Sequence, residues 1–274
     1  MEESTRRYCK EKKEFWDFSF HEFGVNDLPA IINFIINHTK VEKINYIGHS
    51  IGGTQLLVAM SLEPEYFNKT LKNVVLLSPN SRQTRIGIRE IYGMIKSKIY
   101  DIPLKFRTTS ILLDFETLNK ATSFVCKKFK LLCNGAIEMM TDTMSSSDIN
   151  LEQFNVFTEH YPSGTSLQNI RHIAMNIREK QFLAFDYGKD KNLVKYNSET
   201  PPEYNLNLIK NKICLLVGER DHLVVYEDSL WLRDQLENIG FLKMFKSYSE
   251  YKHYHFILGN DARYIDDILH CFRD

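Results

Sequence analysis

Short runs of consecutive apolar residues recur along the 274-residue chain, separated by stretches in which apolar positions return at helical spacing. Residues 44–47, 73–78, 213–218 and 242–248 each read as a short strand. Runs that stay apolar at successive positions, rather than alternating, predict strands covered on both faces and therefore a parallel sheet. Residues 15–37 predict a helical approach to the first strand. Asp27 is its expected N-cap, Pro29 lies in the first turn, and Ile31, Ile32, Phe34, Ile35 and Ile36 supply the buried face. A second helix is predicted from Gly53 to about Ser61, and another over 228–238. Strands alternating with helices in this way predict an α/β protein.

Between residues 80 and 207 the pattern changes. Strand signals fade, and helical stretches with basic and aromatic residues take over at 86–98, 117–132 and 165–179. A helical block inserted after the second strand predicts a cap. The chain thus divides into a first part of a core (1–79), a cap or lid (80–207) and the second part of the core (208–274), without internal repeats or low-complexity linkers.

Composition narrows the function classes. Lysine plus arginine equals aspartate plus glutamate at 35 each, so no net field favours nucleic acid, and no nucleic-acid-binding motif is present. The longest apolar runs are far short of the ~20 residues of a membrane span. The opening Met1-Glu2-Glu3-Ser4-Thr5-Arg6-Arg7 is charged and does not read as a signal peptide. Five cysteines are an odd number without metal-ligand spacing. Cys126 and Cys133 are the close pair, and Cys214, in an apolar strand, reads as a small core residue. Sequons begin at Asn37 and Asn68 and matter if the chain enters the secretory pathway.

The candidate chemistry centres on Gly48-His49-Ser50-Ile51-Gly52, a G-x-S-x-G pattern between a strand and a helix. That context is the one in which the pattern forms a nucleophile elbow. The turn is expected to hold Ser50 in a strained conformation, and a side chain at either Gly48 or Gly52 is expected to clash with the neighbouring strand or helix. The other reading is a glycine-rich strand-to-helix turn in which Ser50 caps the helix. A nucleophilic serine needs a base, and the base needs an orienting carboxylate. Asp221 follows the strand 213–218, and His253 and His255 follow the strand 242–248. Taken singly, Asp221 reads as a turn or cap residue, and the two histidines as a polar loop. Their order along the chain, Ser then Asp then His, is that of an esterase-type triad. A metal site built on His253 and His255 is the weaker alternative, because no third ligand has suitable local spacing.

The same residues carry a family resemblance over nearly the whole chain. Phe15-Trp16-Asp17-Phe18-Ser19-Phe20-His21-Glu22 and Asp27-Leu28-Pro29-Ala30 resemble the approach to the elbow in the gastric and lysosomal acid lipases, which are α/β-hydrolases. Gly48-His49-Ser50 matches the family elbow, with Ile51 in place of the usual glutamine. More specific are His160-Tyr161-Pro162-Ser163-Gly164-Thr165-Ser166 with Asn169, Phe185-Asp186-Tyr187-Gly188 and Pro201-Pro202-Glu203-Tyr204, all within the cap. The family's aspartate and histidine fall on Asp221 and His253, while Lys252 and His255 stand where the family usually has asparagine and aspartate.

The resemblance implies a truncated α/β-hydrolase with a mostly parallel sheet and a helical lid. It implies a lipase that cleaves acylglycerols or sterol esters in lipid degradation, at a lipid–water interface, without metal or organic cofactor. Ser50 would be the nucleophile, His253 the general base, Asp221 the orienting acid, and the Ile51 N–H an oxyanion donor. It implies a secreted or lysosomal glycoprotein. About a hundred residues that precede this point in the family, including four strands and an H-G loop with the second oxyanion donor, have no counterpart here. The expectation is therefore a fragment, a truncated gene product or a degraded homologue, with a first strand left at an edge and weak activity. The alternative expectation is a lipase remnant that binds lipid or a partner without catalysis.

Overall fold

The computed structural model describes residues 13–87, 89–97, 110–111, 142, 144–145, 147–161 and 164–273. The predicted helix at 117–132 and the cysteines Cys126 and Cys133 lie outside the described residues. The strands are β1 (Ile44–His49), β2 (Leu71–Leu77), β3 (Ser110–Ile111), β4 (Thr165–Ser166), β5 (Ile213–Gly218) and β6 (Leu242–Tyr248). β1, β2, β5 and β6 form one sheet in that order, with every neighbouring pair parallel. β3 and β4 form a separate antiparallel pair. A parallel sheet puts the carboxyl ends of all its strands on one edge, so the loops after β1, β2, β5 and β6 meet there.

The two central strands are buried on both faces, as their continuous apolar runs require. Val74 and Leu76 of β2, with Leu215 and Val217 of β5, pack on one face against Leu56, Leu57 and Met60 of the helix Ile51–Leu62. Val75, Leu77, Cys214 and Leu216 pack on the other against Phe256 and Ile268. The C-terminal helix Tyr264–Phe272 covers that second face and is tied to it by a disulfide between Cys214 and Cys271. Cys214 is therefore more than a small core residue: its partner lies 57 positions away, beyond the reach of local spacing.

β1 lies at the sheet edge, as the resemblance implied, but it is not covered on both faces as its apolar residues predicted: it is only partly buried, with Ile47 48% exposed. The preceding helix differs too. After a short 3-10 helix, Lys13–Trp16, the helical run starts at Phe20 and passes through a π-helical stretch, Phe23–Asp27, into the α-helix Leu28–Thr39. Asp27 is therefore inside the helical run and makes no capping hydrogen bond. The cap is Ser19, whose Oγ accepts the His21 N–H while Glu22 reaches back to the Ser19 N–H at 2.7 Å. That reciprocal Ser-x-x-Glu arrangement is a capping box. Of the expected buried face, Ile32 is buried and Ile35 and Ile36 are half-buried. Ile31 and Phe34 are exposed, at 54% and 70%.

The cap motifs form one polar network with the approach segment. Ser166 caps the helix Leu167–Glu179 by accepting the Asn169 N–H, and its hydroxyl donates to the Phe18 carbonyl. Asn169 Oδ1 accepts the Phe20 N–H at 2.9 Å. His172 bonds Ser19 Oγ at 2.9 Å and the Leu183 carbonyl at 2.8 Å. The Tyr187 hydroxyl donates to Glu22 at 3.0 Å, and Tyr204 pairs with His21 at 2.8 Å. These bonds hold residues 166–204 against the approach segment 18–22.

Candidate active site

Ser50 sits where β1 turns into the helix Ile51–Leu62, with φ 54° and ψ −123°. An L-residue avoids this region, and residues held there mark functional turns. Ser50 makes no side-chain capping bond to the helix, so the capping role is not what holds it. Its N–H is anchored to the Leu77 carbonyl of β2 at 2.9 Å. The turn is tight enough that a Cβ at Gly48 would lie 2.7 Å from the Gly52 carbonyl oxygen. The expected clash at Gly52 is absent, since nothing lies within 4 Å of a Cβ there. It falls one residue later, at Gly53, where a Cβ would lie 2.6 Å from Pro79 Cβ. The helix approaches the loop after β2 at Gly53, while Gly52 faces open space.

Ile51 is the first residue of the helix, so its N–H has no intrahelical acceptor and points from the positive end of the helix. Asp221 follows β5 and is buried. Its Oδ1 accepts the N–H groups of Leu223 and Val224, at 2.9 and 2.7 Å. Its Oδ2 accepts from Nδ1–H of His253 at 2.8 Å. One oxygen of Asp221 thus holds the turn and the other the His253 ring. With Nδ1 carrying the proton toward Asp221, the other ring nitrogen, Nε2, is the basic one. His253 follows β6 and is buried; its carbonyl accepts from Nε2–H of His49, the residue before Ser50, at 3.0 Å. The two rings lie 4.6 Å apart. Burial, then the neighbouring His253, lowers the His49 pKa to about 3, so His49 is neutral at physiological pH.

His255 serves the backbone. Its Nδ1 accepts the Lys252 N–H at 2.9 Å, and its ring stacks on Tyr251. Among the described residues, no group of three or more His, Cys, Asp or Glu side chains is arranged to hold a metal ion.

A residue without a sequence signal joins the site. Asp142, from the stretch between β2 and β5, has a fully buried side chain. Its Oδ2 accepts the His222 N–H at 3.0 Å and the His253 N–H at 3.5 Å, and its Oδ1 lies 3.1 Å from His222 Nδ1. Beside the elbow, a small cleft is lined by apolar Phe20, Ile51, Ile173 and Phe182 and by polar Thr54, Asn80, Ser81, Gln83 and Asn176. Asn80 Oδ1 is buried there and has no hydrogen-bond partner among the described residues.

Comparison with known proteins gives consistent findings. The family model described as the alpha/beta hydrolase fold matches residues 2–260. Lipase member N of Mus musculus is 32% identical over 92% of the chain and 62% of its own length. Gastric triacylglycerol lipase of Rattus norvegicus is 32% identical over 93% of the chain and 64% of its own. The human lysosomal acid lipase/cholesteryl ester hydrolase is 33% identical over 95% of the chain and 65% of its own. The chain thus spans somewhat less than two thirds of the length of these relatives.

Proposed function

The chain belongs to the alpha/beta hydrolase fold family, and from that premise we propose that it is a lipase-type carboxylic ester hydrolase acting on acylglycerols or sterol esters. The single observation that carries the mechanism is the buried 2.8 Å pair of Asp221 and His253, on the sheet edge that also presents the strained Ser50. Ser50 Oγ attacks the ester carbonyl carbon while His253 Nε2 takes its proton. Asp221 fixes the tautomer and stabilises the imidazolium that forms. The carbonyl oxygen, now an oxyanion, takes the Ile51 N–H. Collapse of the tetrahedral intermediate expels the alcohol, which leaves with the proton from His253. Water then attacks the acyl-enzyme by the same route and regenerates Ser50.

The names of the relatives, gastric triacylglycerol lipase and lysosomal acid lipase/cholesteryl ester hydrolase, support the lipid-ester substrate class. The Cys214–Cys271 disulfide supports an oxidising compartment, as in secreted or lysosomal proteins. Exposed Asn37 and Asn68 fit glycosylation there. Among the described residues, no helix is long and apolar enough to cross a membrane.

Hydrolysis of p-nitrophenyl esters of increasing chain length tests the proposal. Ser50→Ala is expected to remove measurable turnover, and Asp221→Asn to lower kcat by about 10⁴-fold through the wrong tautomer. A Ser50→Ala protein that hydrolyses at the wild-type rate would defeat the proposal. Equal turnover of acetyl and long-chain esters would defeat the lipid substrate class.

A further inference from the structure

Asp142 is a buried carboxylate that ester hydrolysis by Ser50, His253 and Asp221 leaves without a task. Its backbone is in the left-handed region at φ 58°, which aspartate tolerates better than most residues. One oxygen gathers the main-chain N–H of His222, adjacent to the orienting acid, and that of His253, the base itself. The other oxygen faces the His222 ring. A buried carboxylate needs such donors, because an unpaired one would neutralise or be expelled. Here burial raises its pKa, and the His222 and His253 donors oppose that rise. The donors come from two irregular loops, after β5 and after β6, and the acceptor comes from the stretch between β2 and β5.

We propose that Asp142 is a positioning residue: it accepts main-chain N–H groups from the two loops that carry Asp221 and His253, and so fixes their separation. This rests on the reading of those residues as catalytic machinery. It makes the segment between β2 and β5 a contributor to the geometry of the base. Misplacing a catalytic group by about 1 Å costs on the order of 10²-fold in rate. Losing this tie therefore acts on kcat, with little effect on substrate binding. Asparagine keeps an acceptor oxygen in the same place; alanine keeps none. Serine keeps the position polar, but its oxygen is too short to meet both donors.

The test uses the full chain with p-nitrophenyl butyrate, labelling by a fluorophosphonate, and the low-field proton resonance of the His253–Asp221 pair. Asp142→Ala is expected to lower kcat and labelling rate by roughly 10- to 100-fold with KM within about twofold, and to broaden or remove the resonance. Asp142→Ser should behave likewise and covers the case in which the alanine variant does not fold. Asp142→Asn should recover kcat to within about threefold and retain the resonance. Wild-type kcat and resonance in the alanine or serine variant would overturn the proposal, as would an asparagine variant as impaired as alanine. If the wild type is neither active nor labelled, the hydrolase reading itself falls. The resonance comparison then still decides whether Asp142 holds the pair.

Discussion

At the residue scale, the elbow explains which of its small residues are needed. Gly48 and Gly53 are crowded by the Gly52 carbonyl and by Pro79, whereas Gly52 faces open space. Gly48→Ala and Gly53→Ala are therefore expected to lose about 1–3 kcal/mol in urea denaturation, the range for overpacking. Gly52→Ala should hold its stability or gain up to about 1 kcal/mol from helix propensity. A destabilising Gly52→Ala would contradict the turn described here. Ser50, Asp221 and His253 were legible as candidates because each follows an apolar strand and their chain order is restrictive. The bond between the last two is a distance that only the fold supplies. Asp142 was not legible: it lies in a polar stretch with no motif, and its partners are 80 and 111 positions away. The crowding at Gly53 depends on the loop after β2 and could not be read from the elbow pattern alone.

At the scale of elements, the motifs outside the triad act as fasteners. Asn169→Ala would leave the buried Phe20 N–H unpaired, at an expected cost of about 1–3 kcal/mol in denaturant unfolding. His172 gives the same network a pH dependence. Burial lowers its pKa from 6.5 to about 3 in the folded chain. Between those values the unfolded chain binds a proton that the folded chain refuses. Stability therefore falls as pH drops below about 6.5, by up to about 1.4 kcal/mol per pH unit for one such group. Thermal melts at pH 7 and pH 5 should show the fall, and His172→Gln, which does not titrate, should make it shallower. An unchanged slope in that variant would remove His172 from the account. The disulfide fastens the C-terminal helix to β5, and its reduction is expected to cost about 2–4 kcal/mol. Strands β5 and β6 were legible to the residue: β5 is a continuous apolar run, and β6, with two lysines and a serine among its apolar residues, follows the turn at Gly240. The helix entry was misplaced because Asp27-Leu28-Pro29 looks like a start. The Ser19/Glu22 capping box eight residues earlier was present in the sequence and is the stronger signal.

At the scale of the molecule, the sheet ends on β1 with Ile47 exposed, and Ile31 and Phe34 are exposed on the helix before it. An edge strand with exposed apolar side chains invites pairing with other chains. Ile47→Lys is expected to reduce concentration-dependent aggregation in light scattering without lowering the melting temperature by more than a few degrees. The chain spans 62–65% of the length of its lipase relatives, and the Ile51 N–H is the oxyanion donor assigned here. The overall class was legible from strand–helix alternation, and the edge position of β1 from the family resemblance; the sheet order was not, because it is set by pairings between distant segments. The central claim, that Ser50 is a nucleophile activated by His253, is tested most directly by peptide mass mapping of a fluorophosphonate adduct. One adduct on Ser50 is predicted, forming at least about 10³-fold more slowly in His253→Ala. An adduct elsewhere, no adduct, or an equal rate in the His253 variant would contradict it.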